Sequence, residues 1–360
     1  MTLPTSPPAR AETDAAAPAV AGPPDVFPMA VMEGRVVRYA DLRPCTTAFI
    51  DTRSPGSDRK ENFTIIGPGV AENPDQHVHI PEPHGFNIGA ARQPPYCTNS
   101  QHSHETAEVF VVHTGTWKMV AGVDKGDAAG LMGPGDVISI PTRVFRGFEN
   151  VGTDTGFLYA VLGGDDPGRV TWAPDVLEKA RAHGLILLEN GALIDTLKGQ
   201  TVPPGGRPVT PLTAAEVAEF LRVDDAALAR CIVTGRDMVA NPDSPLAAPG
   251  VAECPVIGIA NPAEAMPQAP LGWAHGFHLR RLDLAPGAAT RPHRRLEEEV
   301  LFVRTGSLTV QWDGGRLDLG PGDTMTVPKG LRRRFANGGA VPAEIFVTRG
   351  GDHPAAPVFD

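Results

Sequence analysis

Two stretches of the chain share one pattern, in which β-branched and aromatic residues form short runs that end at glycine. They read EVFVVHTGTWKMVAG at residues 108–122 and EVLFVRTGSLTVQWDGG at residues 299–315. Such runs are typical of β-strands joined by tight turns. VISIP (137–141) and TMTVP (324–328) each follow a PGD turn and end in proline, which predicts further short strands. Many short strands at this spacing indicate an antiparallel sandwich or barrel.

The hydrophobic period changes between these two regions. Residues 173–191 and 213–233 have helical spacing. Pro174 fits the first position of a helix, and Thr213 with Glu216 forms a capping box, in which hydroxyl and carboxylate satisfy free amides of the first turn. We therefore interpret residues 173–245 as a helical connector whose role is packing and spacing.

The chain also repeats itself at two constant offsets. PGVAE occurs at 68–72 and 249–253, which are 181 residues apart. HGF at 84–86 and 275–277 is repeated at an offset of 191, as are His102 and His293. GPGDVISIPTRVFRGFEN (133–150) matches GPGDTMTVPKGLRRRFAN (320–337) at an offset of 187. A series of matches at constant offsets indicates a duplicated domain, with one loop four residues shorter in the second copy.

The duplication predicts the domain organisation. Residues 26–172 form a first barrel with an N-terminal arm, residues 173–245 the connector, and residues 246–360 a second barrel. Residues 1–25 are rich in proline and alanine and lack the apolar core of a signal peptide. We expect them to form a disordered tail.

Composition and charge narrow the function classes. The formal net charge is −10, which disfavours general binding to nucleic acid or to anionic membranes. No stretch approaches 18 apolar residues, so no membrane span is expected. The four cysteines contain no C-x-x-C pair, which disfavours a zinc ribbon or a disulfide framework. A soluble cytoplasmic protein is the simplest expectation.

The spacing of polar residues in both copies resembles the two motifs of the cupin superfamily, G-x5-H-x-H-x3,4-E-x6-G and G-x5-P-x-G-x2-H-x3-N. The matching residues of the first copy are His102, His104, Glu108, Gly115, Gly135, Pro141 and Asn150. Those of the second copy are Gly287, His293, Glu299, Gly306, Gly322, Pro328, Gly330 and Asn337. The resemblance covers about two thirds of the chain. It implies a bicupin: an all-β protein with two jelly-roll barrels, each open at one end where a metal or ligand sits.

The chain departs from the motifs at several positions. Tyr96 stands where the first motif begins with glycine, and Arg146 replaces the final histidine of the second motif. In the second copy Arg295 replaces the second histidine of His-x-His, and Arg333 replaces the final histidine. The metal chemistry of the family therefore transfers only in part.

The first copy holds a candidate metal site of His102, His104 and Glu108. On a straight strand residues 104 and 108 would lie about 13 Å apart, so we expect a bend at residues 105–107. Two imidazoles and a carboxylate resemble the ligand set of non-haem Fe(II) oxygenases. The resemblance implies Fe(II), although Mn, Ni, Co or Zn would also fit.

Two arrangements are open for Arg146. In one, the metal binds its three ligands and Arg146 clamps a substrate carboxylate or enolate in a catalytic role. In the other, Arg146 pairs with Glu108 and replaces the metal, which leaves a plain ligand pocket. Tyr96, Phe110 and Phe148 are candidates for lining the pocket and contacting the substrate.

The second copy places His293, Arg295, Glu299 and Arg333 at the ligand positions. We expect no divalent metal there, because two of the four positions are cationic. An ion-pair network that closes the barrel mouth is the preferred interpretation, and an anion-binding pocket is the alternative.

Other histidines receive structural interpretations. His84 and His275 occupy the same repeat position and are expected to share a structural role, such as a hydrogen bond at the sheet edge. His77 and His79 are expected in a solvated loop, with a lid over the first site as the alternative. His113 has the opposite strand parity to Glu108 and should point away from the site.

The preferred function is a metal-dependent dioxygenase acting on a small aromatic or keto acid, since the chain resembles gentisate- and quercetin-type bicupin dioxygenases. Decarboxylase, lyase and isomerase chemistry stay open because a fold does not fix a reaction. The main alternative is a non-catalytic bicupin that binds a small organic anion without metal. A structural or partner-binding bicupin is the third hypothesis, and homo-oligomerisation is left open.

Overall fold

Short strands dominate the chain, and a computed structural model describes residues 27–359. The tail predicted over residues 1–25 lies outside the described residues. The strands before the connector are β1 (Val36–Val37), β2 (Glu61–Ile66), β3 (Val78–Ile80), β4 (Phe86–Gln93), β5 (Thr98–Ser103), β6 (Glu108–Thr114), β7 (Trp117–Ala121), β8 (Ala128–Met132), β9 (Val137–Ile140), β10 (Arg146–Asn150), β11 (Gly156–Gly163) and β12 (Thr171–Trp172).

The connector and the second half of the chain supply the remaining strands. These are β13 (Leu185–Leu187), β14 (Leu193–Asp195), β15 (Ile232–Val233), β16 (Val251–Ile257), β17 (Phe277–Leu284), β18 (His293–Arg294), β19 (Glu299–Thr305), β20 (Leu308–Trp312), β21 (Gly315–Leu319), β22 (Thr324–Val327), β23 (Arg333–Ala336), β24 (Ala343–Gly350) and β25 (Val358–Phe359). The α-helices are α1 (Met29–Glu33), α2 (Pro174–Ala182), α3 (Ala214–Val217) and α4 (Asp225–Ala229). Because these helices are few and short, the fold is predominantly β, as predicted.

Each half of the chain forms a barrel of two sheets. The first barrel consists of a seven-stranded sheet in the order β15-β9-β6-β11-β4-β2-β3 and a five-stranded sheet in the order β12-β5-β10-β7-β8. The second consists of a six-stranded sheet, β1-β22-β19-β24-β17-β16, and a five-stranded sheet, β21-β20-β23-β18-β25. Two jelly-roll barrels from an internal duplication are therefore confirmed.

The strand boundaries reproduce the two offsets of the repeat. β4 and β17 begin 191 residues apart, as do β6 and β19, and β7 and β20. From β8 and β21 onward the offset is 187, and it persists through β12 and β25. The four residues that the second copy lacks therefore belong to the loop between β7 and β8 of the first copy. All later strands correspond at the shorter offset.

The glycine that follows β6 is required by the backbone, which explains why the second copy has glycine at the same position. Gly115 has φ +89°, and a Cβ at this position would lie 2.7 Å from the Cα of Gly156. Its counterpart Gly306 has φ +74°, and its Cβ would lie 2.6 Å from the Cα of Ala343. Only glycine combines the left-handed backbone with so close an approach of two strands.

The N-terminal arm packs on the second barrel. Val36 and Val37 pair with Met325 and Thr324, which adds β1 to the sheet of that barrel. Met32 is fully buried in the core of the second barrel as well. The arm precedes the first barrel in sequence, as expected, yet it completes the sheet of the second one.

The connector is only partly helical. The pattern over residues 173–191 forms a helix only at Pro174–Ala182, where proline occupies the first turn. The segment then continues as the β13–β14 hairpin, because Gly184 has φ +83° and ends the helix. The capping box of Thr213 and Glu216 is present, but its helix ends at Val217. None of the helices in the described range 27–359 has the length and hydropathy of a membrane span.

The two barrels pack through their larger sheets. Tyr159 of the first barrel stacks on Phe302 of the second, with ring centroids 4.1 Å apart. His113 lies in this interface, 5.4 Å from Phe302, so it points away from the candidate site as predicted. His84 Nε2 approaches Glu298 of the second barrel at 3.1 Å, and His275 Nε2 lies 2.6 Å from Ser139 Oγ of the first. The equivalent histidines thus share a structural role, which is to contact the opposite barrel.

Candidate metal centre and its cavity

His102, His104 and Glu108 converge inside the first barrel. His102 lies near the end of β5, Glu108 begins β6, and these strands belong to different sheets. The chain therefore bends between residues 104 and 108, as the sequence requires. One ligand atom from each residue lies within 4.8 Å of the others, and all three side chains are buried.

The spacing of these atoms fits a single cation. His104 Nε2 lies 3.3 Å from Glu108 Oε1, and His102 Nε2 lies 4.0 Å from Glu108 Oε2. Ligands about 2.0–2.2 Å from a shared metal lie roughly 3–4 Å from each other. The arrangement is therefore compact enough for all three residues to bind one ion.

Hydrogen bonding orients the ring of His102. Its Nδ1 lies 2.7 Å from the carbonyl oxygen of Ser100 and donates to it, which leaves the Nε2 lone pair facing Glu108. Burial, followed by the charge of Arg146, lowers the pKa of His102 to about 3. Burial also lowers the pKa of His104. Both imidazoles are therefore neutral, which is the form that binds a metal.

Arg146 pairs with Glu108 instead of facing the cavity. Its Nη2 and Nε donate to Glu108 Oε2 at 2.8 and 3.1 Å, and Nη1 donates to the Val144 carbonyl at 3.2 Å. Arg146 is 1% exposed and is not among the residues that line the cavity. Its assignment as a catalytic, substrate-clamping residue is therefore corrected: it contacts Glu108 and acts as a positioning residue.

This ion pair matches the second arrangement predicted for Arg146, in which it pairs with Glu108. However, it engages only one of the two carboxylate oxygens. Burial acts to raise the pKa of Glu108, and nearby His104 and Arg146 outweigh that effect, so the pKa is lowered and the group is ionised. Arg146 binds Oε2, whereas Oε1 lies next to His104. One carboxylate oxygen and two imidazole nitrogens remain for a cation, so the residues fit a metal.

A small cavity of about 70 Å³ adjoins the three ligands. Phe110 and Phe148 contribute to its wall, as expected, and their ring centroids lie 5.1 Å apart. Trp172 also contributes and was not identified from sequence, because it lies more than twenty residues after the end of the second motif at Asn150. Its ring centroid lies 5.5 Å from that of His102.

Tyr96 does not belong to this site, which corrects its assignment as a substrate-binding residue. It is 69% exposed and occupies the turn between β4 and β5 with φ 60°. Its backbone N–H donates to the Asn150 carbonyl at 2.7 Å. The backbone of Tyr96 is left-handed in this turn, and its side chain points into solvent.

The equivalent site of the second barrel is closed by ion pairs. Arg333 donates to Glu299, and Arg295 Nε lies 3.4 Å from the same carboxylate. Burial acts to raise the pKa of Glu299, but the two guanidinium groups outweigh it and lower the pKa to about 2. His293 remains next to this pair, and its Nδ1 lies 2.9 Å from the Arg291 carbonyl. The preferred interpretation of an ion-pair network thus agrees with the geometry.

Glu264 extends this network and was missed in the sequence. Its fully buried carboxylate accepts hydrogen bonds from Arg280, Arg295 and Arg349. Burial opposes ionisation, but the neighbouring charges of Arg349 and Arg280 lower its pKa to about 2. Glu264 lies in a single 3₁₀ turn outside both motifs, so no spacing pointed to it.

The last strand of each copy covers its site. Trp172 in β12 pairs with His102, and Phe359 in β25, at the same repeat position, pairs with His293. In the second barrel Ala355, just before β25, accepts hydrogen bonds from Arg295 and Arg349 through its carbonyl. The C-terminal segment therefore seals the second barrel.

His77 and His79 form no metal site with a third ligand among residues 27–359. Their rings lie 4.5 Å apart, and His79 Nε2 accepts a hydrogen bond from the Arg43 N–H at 3.3 Å. Burial, together with His77, lowers the pKa of His79 to about 4. His79 lies within β3, which pairs with β2, so the expectation of a solvated loop is wrong for His79. It holds for His77, which precedes the strand and is exposed.

Comparisons with known proteins agree with this architecture. A cupin domain family model matches residues 280–349, within the second barrel. The oxalate decarboxylase of Lactobacillus farciminis in its formate complex is 12% identical with a TM-score of 0.55, over 90% of this chain and 88% of that one. The Bacillus subtilis oxalate decarboxylase at pH 4.6 is 13% identical with a TM-score of 0.54, over 90% and 78%. No curated protein sequence matches the chain. At these identities the likeness establishes the fold.

Proposed function

We propose, from the premise that this chain has the two-barrel fold of the cupin superfamily, that it is a metal-dependent enzyme acting on a small organic acid in the first barrel. The observation that carries the proposal is the convergence of His102, His104 and Glu108 beside a cavity. The second barrel has charged pairs in the equivalent place and is structural. The structural neighbours, by their names, act on oxalate, which is itself a small organic acid.

The three ligands would hold a divalent ion, and we propose Fe(II) as that ion. When bound, such an ion supplies Lewis acidity and the capacity to activate dioxygen. The residues of the chain set the conditions for this chemistry. Arg146 holds Glu108 ionised and fixed, the Ser100 carbonyl holds the tautomer of His102, and Phe110 and Phe148 keep water away from the apolar part of the substrate.

We propose dioxygenation of an aromatic or keto acid as the reaction. The support is the three-residue ligand set, which leaves coordination positions open for both substrate and dioxygen. The apolar wall of Phe110 and Phe148 favours a substrate with a carbon skeleton larger than that of oxalate. Decarboxylation on the same scaffold is the competing reaction, because the structural neighbours carry that name.

One experiment separates these reactions. The protein is reconstituted anaerobically with Fe(II) or Mn(II), and dioxygen uptake and carbon dioxide release are measured with a panel of aromatic acids, keto acids and oxalate. Dioxygenation predicts stoichiometric uptake of dioxygen, and decarboxylation predicts carbon dioxide release without net uptake. His102→Ala should abolish either activity, whereas His293→Ala, the same change in the second barrel, should preserve it.

A non-catalytic anion-binding protein is the second candidate, favoured by the Glu108–Arg146 ion pair. In this case the pair replaces the metal, and the pocket binds a small anion without chemistry. Metal content below about 0.2 equivalents per chain after reconstitution, unchanged by His102→Ala, would support it over the enzyme.

A further inference from the structure

A larger groove adjoins the inner cavity on its outer side. Its volume is about 670 Å³, compared with about 70 Å³ for the cavity at the candidate metal site. The residues that line both are Gly69, Val70, Ala71, Val170 and Trp172. The two spaces are therefore adjacent, and a ligand that extends past Trp172 would occupy both.

The connector builds much of the groove wall. Its apolar contribution consists of Leu177, Leu187, Leu188, Val209 and Leu212. These side chains come from α2, from the β13–β14 hairpin and from the loop beyond it. Leu177 and Leu187 are also buried against Phe145 and Trp172 of the first barrel, so the connector packs on that barrel and lines the groove at the same time. Its role therefore extends beyond the packing and spacing expected from sequence.

The polar lining is predominantly acidic. Glu105 and Glu189 line the groove together with one guanidinium, that of Arg169, and the carboxyl group of Glu72 is already hydrogen-bonded to Trp172 and Ile50. Arg169 is already engaged, because it donates to the carbonyl oxygen of Glu189. An acidic rim disfavours a second anionic group on the ligand. The part of a ligand that lies in the groove should therefore be uncharged and largely apolar.

Trp172 marks the boundary between the two spaces and is held in place. Its Nε1–H donates to Glu72 Oε1 at 2.6 Å, while Glu72 Oε2 accepts from the Ile50 N–H at 2.7 Å. The strand that carries Trp172 also pairs with β5 at His102. The indole therefore offers a fixed aromatic face to a ligand that passes from the groove to the cavity.

We propose that the outer groove binds the uncharged, apolar body of a monocarboxylic acid whose carboxyl end reaches the inner cavity. The identity of the end that enters the cavity rests on the proposed function, but binding of the apolar body does not. An aryl-alkyl acid fits this description, since its ring suits the leucine-lined groove and its single charge avoids the acidic rim. Oxalate, with two charges and no apolar body, would leave the groove unfilled.

Two probes separate the groove from the metal site: 4-phenylbutyrate and its neutral amide, 4-phenylbutyramide. Binding is measured by calorimetry on the full chain, with and without Mn(II). We expect the amide to bind with or without metal, and the acid to bind at least tenfold more tightly than the amide only when metal is present. Acetate, which carries the charge without the apolar body, should bind at least tenfold more weakly than 4-phenylbutyrate.

Ala192→Trp fills the groove from its wall, and Thr210→Trp does so from an exposed position that leaves the core untouched. Ala182→Trp, on an exposed face of α2 outside the groove, is the matched control. Both groove variants should weaken amide binding at least tenfold with unchanged metal content, and the control should not.

The outcomes distinguish the two proposals. If the amide does not bind, or if the groove variants and the control bind it equally, the inference about the groove is wrong. If oxalate binds more tightly than 4-phenylbutyrate, it is also wrong. If the amide binds and is lost in the groove variants, but metal does not bind or does not favour the acid, the groove inference stands and the proposed function fails.

Discussion

Replacing Arg146 by methionine tests how the cation site is built. Arg146 is 1% exposed and donates twice to Glu108, which is 5% exposed. The change leaves Glu108 buried without its partner, and removal of one member of a buried pair costs about 3–5 kcal/mol of unfolding free energy. Methionine fills a similar volume, so the loss should come from electrostatics and hydrogen bonding.

A divalent cation should restore part of this stability, because it replaces the guanidinium as the counter-charge of Glu108. Ligand at a hundredfold excess over its dissociation constant adds about 2.7 kcal/mol to a folded state. Loss of the positive charge of Arg146 should also tighten metal binding. The gain on adding Mn(II) should therefore be larger in Arg146→Met than in the unmodified chain.

Arg333→Met provides the matched control, since Arg333 forms the equivalent pair with Glu299 in the second barrel. It should lose comparable stability and gain no more from Mn(II) than the unmodified chain gains, because its first barrel is unchanged. The assay is urea denaturation of all three proteins with Mn(II) or with a chelator. Equal gains in the Arg146 and Arg333 variants would contradict the replacement of the Arg146 charge by a cation, and no gain in any of the three proteins would show that no cation binds beside Glu108.

Three further predictions concern other parts of the molecule. Burial raises the pKa of Glu72 to about 7 against the opposing hydrogen bonds from Trp172 and Ile50, with Asp51 raising and Lys60 lowering it. The folded state therefore retains this proton longer than the unfolded chain, and its contribution to stability is lost as pH rises from about 4.5 to 7. Glu72→Gln should remove that slope in urea titrations at pH 5 and 7.5, and an unchanged slope would refute the assignment. Glu264→Gln should cost about 3–5 kcal/mol in urea denaturation, because it leaves buried guanidinium groups without their carboxylate; a loss below about 1 kcal/mol would contradict the network. Gly115→Ala should lower the melting temperature by several degrees, since the left-handed backbone and the close strand both exclude a methyl group; an unchanged melting temperature would contradict this packing.

The fold was predictable because duplication constrains the same pattern twice. Glycines such as Gly115 and Gly306 recur at fixed spacing since each barrel needs the same left-handed turn. The triad was predictable for a similar reason, because the bend after His104 is the only way to bring Glu108 back beside it. The spacing of residues within one motif was therefore enough to predict the three candidate ligands.

Contacts between distant segments were not predictable. Trp172 reaches the first site and Glu264 the second from outside the motifs, and nothing in their neighbourhoods identifies them. The direction of Arg146 could not be chosen from sequence either, since both Glu108 and a bound anion would satisfy a guanidinium. The groove needed the folded connector, because its leucines come from segments brought together only by the hairpin after α2.

The most direct test of the central claim is the metal content of three proteins after dialysis against Fe(II) or Mn(II) under anaerobic conditions. The account predicts about one equivalent per chain in the unmodified protein and in His293→Ala, and less than about 0.2 in His102→Ala, because only the first barrel brings its ligands together. Equal metal content in the two variants would contradict a cation site built by His102, His104 and Glu108.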